Sequence, residues 1–83
     1  MQVAIAAAGG VARVLAAMSA HAAVAGVQEA ACAALWYLSC CPSGKAAVLT
    51  GGGVDRIRTA QAAHPAHARL QELAAGALRV LRA

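Results

Sequence analysis

The stretch GGVARVLAAMSAH at residues 9–21 returns as GGVDRIRTAQAAH at residues 52–64. Sliding the chain along itself by 43 positions creates 40 residue pairs, of which 16 are identical. Seven of these are alanine pairs, which an alanine-rich chain produces by composition. The other nine are Gly9/Gly52, Gly10/Gly53, Val11/Val54, Arg13/Arg56, His21/His64, Gln28/Gln71, Glu29/Glu72, Leu35/Leu78 and Leu38/Leu81. Rarer residues in a fixed order require a duplicated unit. A period in the forties is that of a helical solenoid, whose units bury their apolar faces against one another.

Each unit reads as three helical pieces. The first is short, over residues 2–8 and again over 44–50, and the glycines that follow are expected to stop it. The second runs from Val11 to about His21 and from Val54 to about His64. In the first copy Val11, Val14, Leu15 and Met18 recur at i, i+3, i+4 and i+7, the spacing of one helix face. The third runs from about Val24 to Cys40 and from about His67 to Arg82. Its stripe of Val27, Ala31, Ala34, Leu35 and Leu38 is repeated as Leu70, Ala74, Ala77, Leu78 and Leu81. Pro42 and Gly44 punctuate the joint between units, and Pro65 separates the second and third helices of the later copy. Trp36 and Tyr37 are the only aromatics and β-branched residues are few, so the expectation is all-α.

A short helix, a Gly-Gly break, a medium helix and a long helix of the form V-Q-E-x-A-x-x-A-L-x-x-L resembles the armadillo repeat. GGVARVLAAM and VQEAACAALWYLS carry the resemblance in the first copy, GGVDRIRTAQAAHP and LQELAAGALRVL in the second. The histidine after the second helix, followed by Gln-Glu, is similar to the armadillo region of leucine-rich-repeat kinases and of related algal and protist repeat proteins. The resemblance implies an armadillo-like α-solenoid fragment of about two three-helix repeats, residues 1–42 and 43–83. It also implies a non-catalytic protein-interaction scaffold with no cofactor.

In the armadillo family the third helices stack in parallel and line a concave groove that holds extended peptides. Nuclear-import adaptors grip the ligand backbone with a W-x-x-x-N motif on that helix. Ala33 and Gly76 stand at the tryptophan positions, and Tyr37 and Val80 at the asparagine positions. Import-signal binding in that mode is therefore not expected. The groove implied by the resemblance is built from Glu29, Ala33, Trp36, Tyr37 and Cys40, then Glu72, Gly76, Arg79 and Val80. Trp36 and Tyr37 are its strongest contact candidates, because Trp and Tyr concentrate binding energy at interfaces. Trp36 fits equally a place against a neighbouring helix.

Two units are few, since such arrays generally hold about three or more with polar caps. Replacement of Leu15 by Arg58 and of Met18 by Gln61 makes two apolar positions polar in the second copy. That is expected of a unit on which no further repeat stacks. The apolar first copy calls for neighbouring repeats or self-association.

The residues offer little chemistry. SCCPSGKA at 39–46 resembles a phosphate loop but has Ser39 where glycine is needed and Ala46 where the magnesium-holding hydroxyl belongs. His21, His64 and His67 lack metal-ligand spacing and read as residues near helix C-termini that meet carbonyls and the dipole. Cys32 reads as a small core residue. Glu29 and Glu72 read as first-turn residues of the third helix, favoured by its dipole, rather than as an acid/base pair. With three acids and three serines and no nucleophile–base–orienter set, an enzyme is not expected.

The net charge of +4 arises entirely in residues 43–83, where Lys45, Arg56, Arg58, Arg69, Arg79 and Arg82 face Asp55 and Glu72. A small basic nucleic-acid binder is the alternative function this permits, although no basic run exceeds one residue. The longest charge-free stretches, 14–28 and 30–44, fall short of the roughly 20 apolar residues of a membrane span. No positive charge precedes Arg13 to make a secretory signal. Three cysteines, two of them adjacent, form a poor disulfide framework. The expected location is therefore cytoplasmic, with the nucleus compatible.

Overall fold

The computed structural model describes residues 3–82, with side chains from Gly9 onward. Five helices follow one another: α1 (Val3–Ala20), α2 (Ala25–Ser39), α3 (Pro42–Thr50), α4 (Gly53–Ala63) and α5 (Ala68–Arg82). The described residues contain no strand. Helices α2 and α5 both have 15 residues and begin 43 positions apart, and α1 and α4 end 43 positions apart at Ala20 and Ala63. The ends of α1 and α4 and the whole of α2 and α5 thus recur at the sequence repeat distance.

One expectation fails. The Gly-Gly break at Gly9 and Gly10 is absent, and α1 runs through both as a single 18-residue helix. An interior glycine costs a helix about 1 kcal/mol relative to alanine but keeps its backbone hydrogen-bonding groups, so it does not by itself end the helix. An ending needs a demand from packing. At Gly9 and Gly10 an added Cβ would find nothing within 4 Å. In the second copy the demand exists. A Cβ on Gly51 would stand 2.9 Å from Leu15 Cδ1, and one on Gly53 would overlap Val48. Between them Gly52 takes φ +81°, a left-handed conformation that separates α3 from α4. The apolar positions Val3, Ile5 and Ala6 of the first short piece have side chains outside the described residues.

A smaller correction concerns Pro42 and Gly44. Pro42 opens α3 at its first position, where a missing N–H costs nothing, and Gly44 lies inside that helix. A Cβ on Gly44 would overlap the Leu38 carbonyl, so the glycine lets α3 start close against the end of α2.

The core follows the two stripes. Leu70, Ala74, Ala77, Leu78 and Leu81 of α5 are all buried, as are Ala31, Cys32 and Leu35 of α2 and Val11, Leu15 and Met18 of α1. Val27, Ala34 and Leu38 are half-buried. Val48 and Ile57 close the core from α3 and α4. The largest helix interface is α2 against α5.

Gln28 and Gln71 tie each unit together in the same way. Gln28 Nε2 donates to the Met18 and His21 carbonyls, and Gln71 Nε2 donates to the Gln61 and His64 carbonyls, all at 3.0 Å. The last carbonyls of α1 and α4 have no partner within their own helix. One amide NH₂ with two protons supplies one of them, Met18 or Gln61, adds a second donor to the His21 or His64 carbonyl just past the helix end, and joins the second helix of each unit to the third.

Candidate functional site

The helices α2 and α5 bring one pair of the predicted groove residues, Trp36 and Gly76, together. Near the start of the helix pair, Glu29 of α2 meets the first residues of α5. Its Oε1 lies 2.8 Å from Arg69 Nε and its Oε2 lies 3.5 Å from His67 Nε2. Further along, Trp36 of α2 meets Gly76 of α5. Early residues face early and later face later, so α2 and α5 run in the same direction.

Trp36 is half-buried and packs against a neighbouring helix, one of the two places the sequence leaves open for it. Its ring rests on Gly76, where a Cβ would overlap Cη2 and Cζ3, and it packs against the edge of the core. Gly76 is therefore a seat for the indole rather than an open groove position, and it is buried. The neighbouring Tyr37 is 83% exposed. Ala33 and Val80 are half-buried, and Glu72, Arg79 and Cys40 are exposed. Along α2 and α5, Trp36 is thus seated on Gly76 while the next residue, Tyr37, stands free of the fold.

Glu29 and Glu72 are not first-turn residues. Each is the fifth residue of its helix, and the first turns of α2 and α5 carry no acid. Glu29 is held by Arg69 and His67 rather than by its own helix dipole. His67 supports this arrangement. Its Nδ1 accepts the Leu70 N–H at 3.2 Å, in the position of an N-cap for α5. An accepting Nδ1 leaves Nε2 to carry the ring proton toward Glu29.

The histidines differ from their expected role. Glutamines, not histidine rings, meet the last carbonyls of α1 and α4. The His64 ring instead reaches across the units, its Nε2 lying 2.9 Å from the Ala22 carbonyl in the α1–α2 turn. His21 is exposed. Among the described residues no three of His, Cys, Asp and Glu converge as a metal site.

Cys32 of α2 is wholly buried in the core, and burial pushes its thiol up to about 11. Cys40 and Cys41 are exposed free thiols whose Sγ atoms lie near the Trp36 and Leu38 carbonyls, at 3.4 and 3.5 Å. A cleft of about 170 Å³ between α1 and α4 has Arg56 as its only charged lining residue and no acid or nucleophilic thiol. No described helix is long and apolar enough to cross a membrane.

The chain matches no family model, no curated protein and no solved structure in the comparisons made.

Three structural roles escaped the sequence: the glutamine clamp, Gly76 as the seat of Trp36, and Arg69 as the partner of Glu29. The first left a signal, because Gln28 and Gln71 are an identical pair at the repeat distance. The other two join residues of different units that share no equivalent position.

Proposed function

We propose that this chain is a non-catalytic protein-interaction scaffold of armadillo-like build, binding a protein or peptide along α2 and α5. The observation that carries the reading is Tyr37, 83% exposed on the helix turn beside a seated Trp36. An aromatic ring so exposed contributes little to its own fold and is available to a partner, and aromatics of this kind dominate interface energetics. Two parallel helices from equivalent positions of a repeated unit offer an extended partner a continuous track. The repeated glutamine clamp supports the solenoid reading, since it makes each unit a fixed block that can stack.

Glu29, Ala33, Glu72, Arg79 and Val80 are the further candidate contacts on α2 and α5, with Glu29, Glu72 and Arg79 setting orientation by charge. Charges of both signs there suit a peptide of mixed charge rather than a polyanion. The test is capture of a partner from the native source, followed by affinity measurement with the purified partner. Tyr37→Ala is expected to weaken binding at least tenfold, about 1.4 kcal/mol. Unchanged affinity overturns the reading. So does tight, steeply salt-dependent binding to RNA or DNA in place of a protein.

A further inference from the structure

The cleft of about 170 Å³ between α1 and α4 has Ser19, Ala22 and Gln28 on one side and Arg56, Thr59 and Ala63 on the other. Gln28 decides what it can hold. The residue is 2% exposed, and both protons of its amide are committed to the Met18 and His21 carbonyls. Two carbonyl partners on the nitrogen fix which amide atom is which. Oε1 receives no hydrogen bond from the described residues, is not sealed from solvent, and belongs to a side chain that lines the cleft. A buried amide oxygen of this kind calls for an N–H or O–H from whatever enters.

The opposite requirement stands on α4. Arg56 has no carboxylate partner among the described residues, and the cleft contains no acid to neutralise it. Its guanidinium calls for an anion, best met by a planar carboxylate. Along α4 the cleft extends to Ala63, the last residue of that helix. There the helix dipole favours an N–H over an anion. An occupant therefore carries its negative group at the Arg56 end and an N–H toward Gln28. The size is set as well. A cavity of about 150 Å³ takes benzene, roughly six heavy atoms. An alanine residue ending in a free carboxylate is of that size. The His64 ring, with Nε2 2.9 Å from the Ala22 carbonyl, ties the end of α4 to the α1–α2 turn and so holds the two sides of the cleft together.

We propose that this cleft binds the free C-terminal carboxylate of a peptide whose last residue is small. Arg56 pairs with the carboxylate and Gln28 Oε1 accepts the N–H of the last residue, whose side chain rests on Met18 and Ala60. The site is separate from the surface along α2 and α5 and does not depend on a partner there. The test is titration of the full chain, labelled with nitrogen-15, with acetyl-glycyl-alanine as the free acid, with the same peptide as its C-terminal amide, and with acetate. The acid is expected to give saturable amide shifts at the ends of α1 and α4 with millimolar affinity, and the amide and acetate to bind at least tenfold more weakly. Arg56→Gln and Ala63→Leu, both at exposed positions, are each expected to weaken the acid at least tenfold, the first by removing the cation and the second by filling the cleft. Arg58→Gln and Tyr37→Ala are expected to leave it unchanged. Circular dichroism verifies folding of each variant. Absence of a saturable shift at tens of millimolar acid overturns the proposal, as does equal binding of acid and amide or of acid and acetate. Full binding by Arg56→Gln or by Ala63→Leu overturns it too.

Discussion

The indole of Trp36 rests on Gly76, with no room between them for a Cβ. This relationship makes α2 and α5 one rigid surface and predicts a change of sign. Gly76→Ala gains roughly 1 kcal/mol of helix propensity but must displace a ring at a cost of about 1–3 kcal/mol. It is expected to destabilise the parent chain. With Trp36→Ala in the background the clash is gone, and the same Gly76→Ala is expected to stabilise. Urea unfolding of the four chains measures both effects. The same sign in both backgrounds would mean that the ring does not sit there.

Trp36 and Tyr37 are expected to separate although they are adjacent. Trp36→Ala removes a half-buried ring from the α2–α5 interface and should cost roughly 2 kcal/mol, less than the full burial value. Tyr37→Ala should fall within about 0.5 kcal/mol of the parent, as exposed positions usually do. Thermal unfolding followed by circular dichroism checks both.

The two glutamine clamps should behave alike in kind and differ in size. Gln28→Ala takes the side-chain donor from the Met18 carbonyl and one of two donors from the His21 carbonyl, at a site only 2% exposed, and is expected to cost about 1–3 kcal/mol. Gln71→Ala does the same at a half-buried site and is expected to cost less. Leucine at position 28 should not rescue, because the loss is a hydrogen-bond donor rather than volume. Chemical denaturation ranks the variants.

Much of this architecture was legible in the residues. The apolar stripes, Pro65 and the 43-residue echo led to α2, α4 and α5 within about two residues at each end. The Gly-Gly break misled because both copies write the same two letters. Only Gly51 and Gly53 are pressed, Gly51 by Leu15 of the distant α1 and Gly53 by Val48 of the adjoining α3. The candidate strip was legible as a list of helix positions but not as a surface. Spacing places Trp36 and Gly76 on their helices and says nothing of one filling the space the other leaves. The setting of Glu29 is hidden from the sequence for a related reason. Its partners Arg69 and His67 lie across the unit boundary, and position 69 corresponds to Gly26 in the first copy, so the repeat holds no echo of the pair.

Cys32 makes a pH prediction. Burial raises its folded-state thiol from 9.0 to about 11, favouring the neutral form. A raised pKa contributes stability that is complete below the unfolded value and is lost as pH rises through the folded one. Unfolding free energy under reducing conditions should therefore fall between pH 9 and about pH 11. Cys32→Ala should fall less steeply over that window, whatever its stability at neutral pH. Equal slopes would show that the thiol is not held from water. In parallel, Cys40 and Cys41 should alkylate promptly in the native chain and Cys32 only on unfolding.

The central claim is that α2 and α5 present a partner-binding strip whose free contact residue is Tyr37. The most direct measurement is isothermal titration of the purified partner into the parent chain and into Tyr37→Ala, with folding of both verified by circular dichroism. The claim predicts matching helicity and an affinity at least tenfold weaker for Tyr37→Ala, near 1.4 kcal/mol. Equal affinities in two equally folded chains would contradict it.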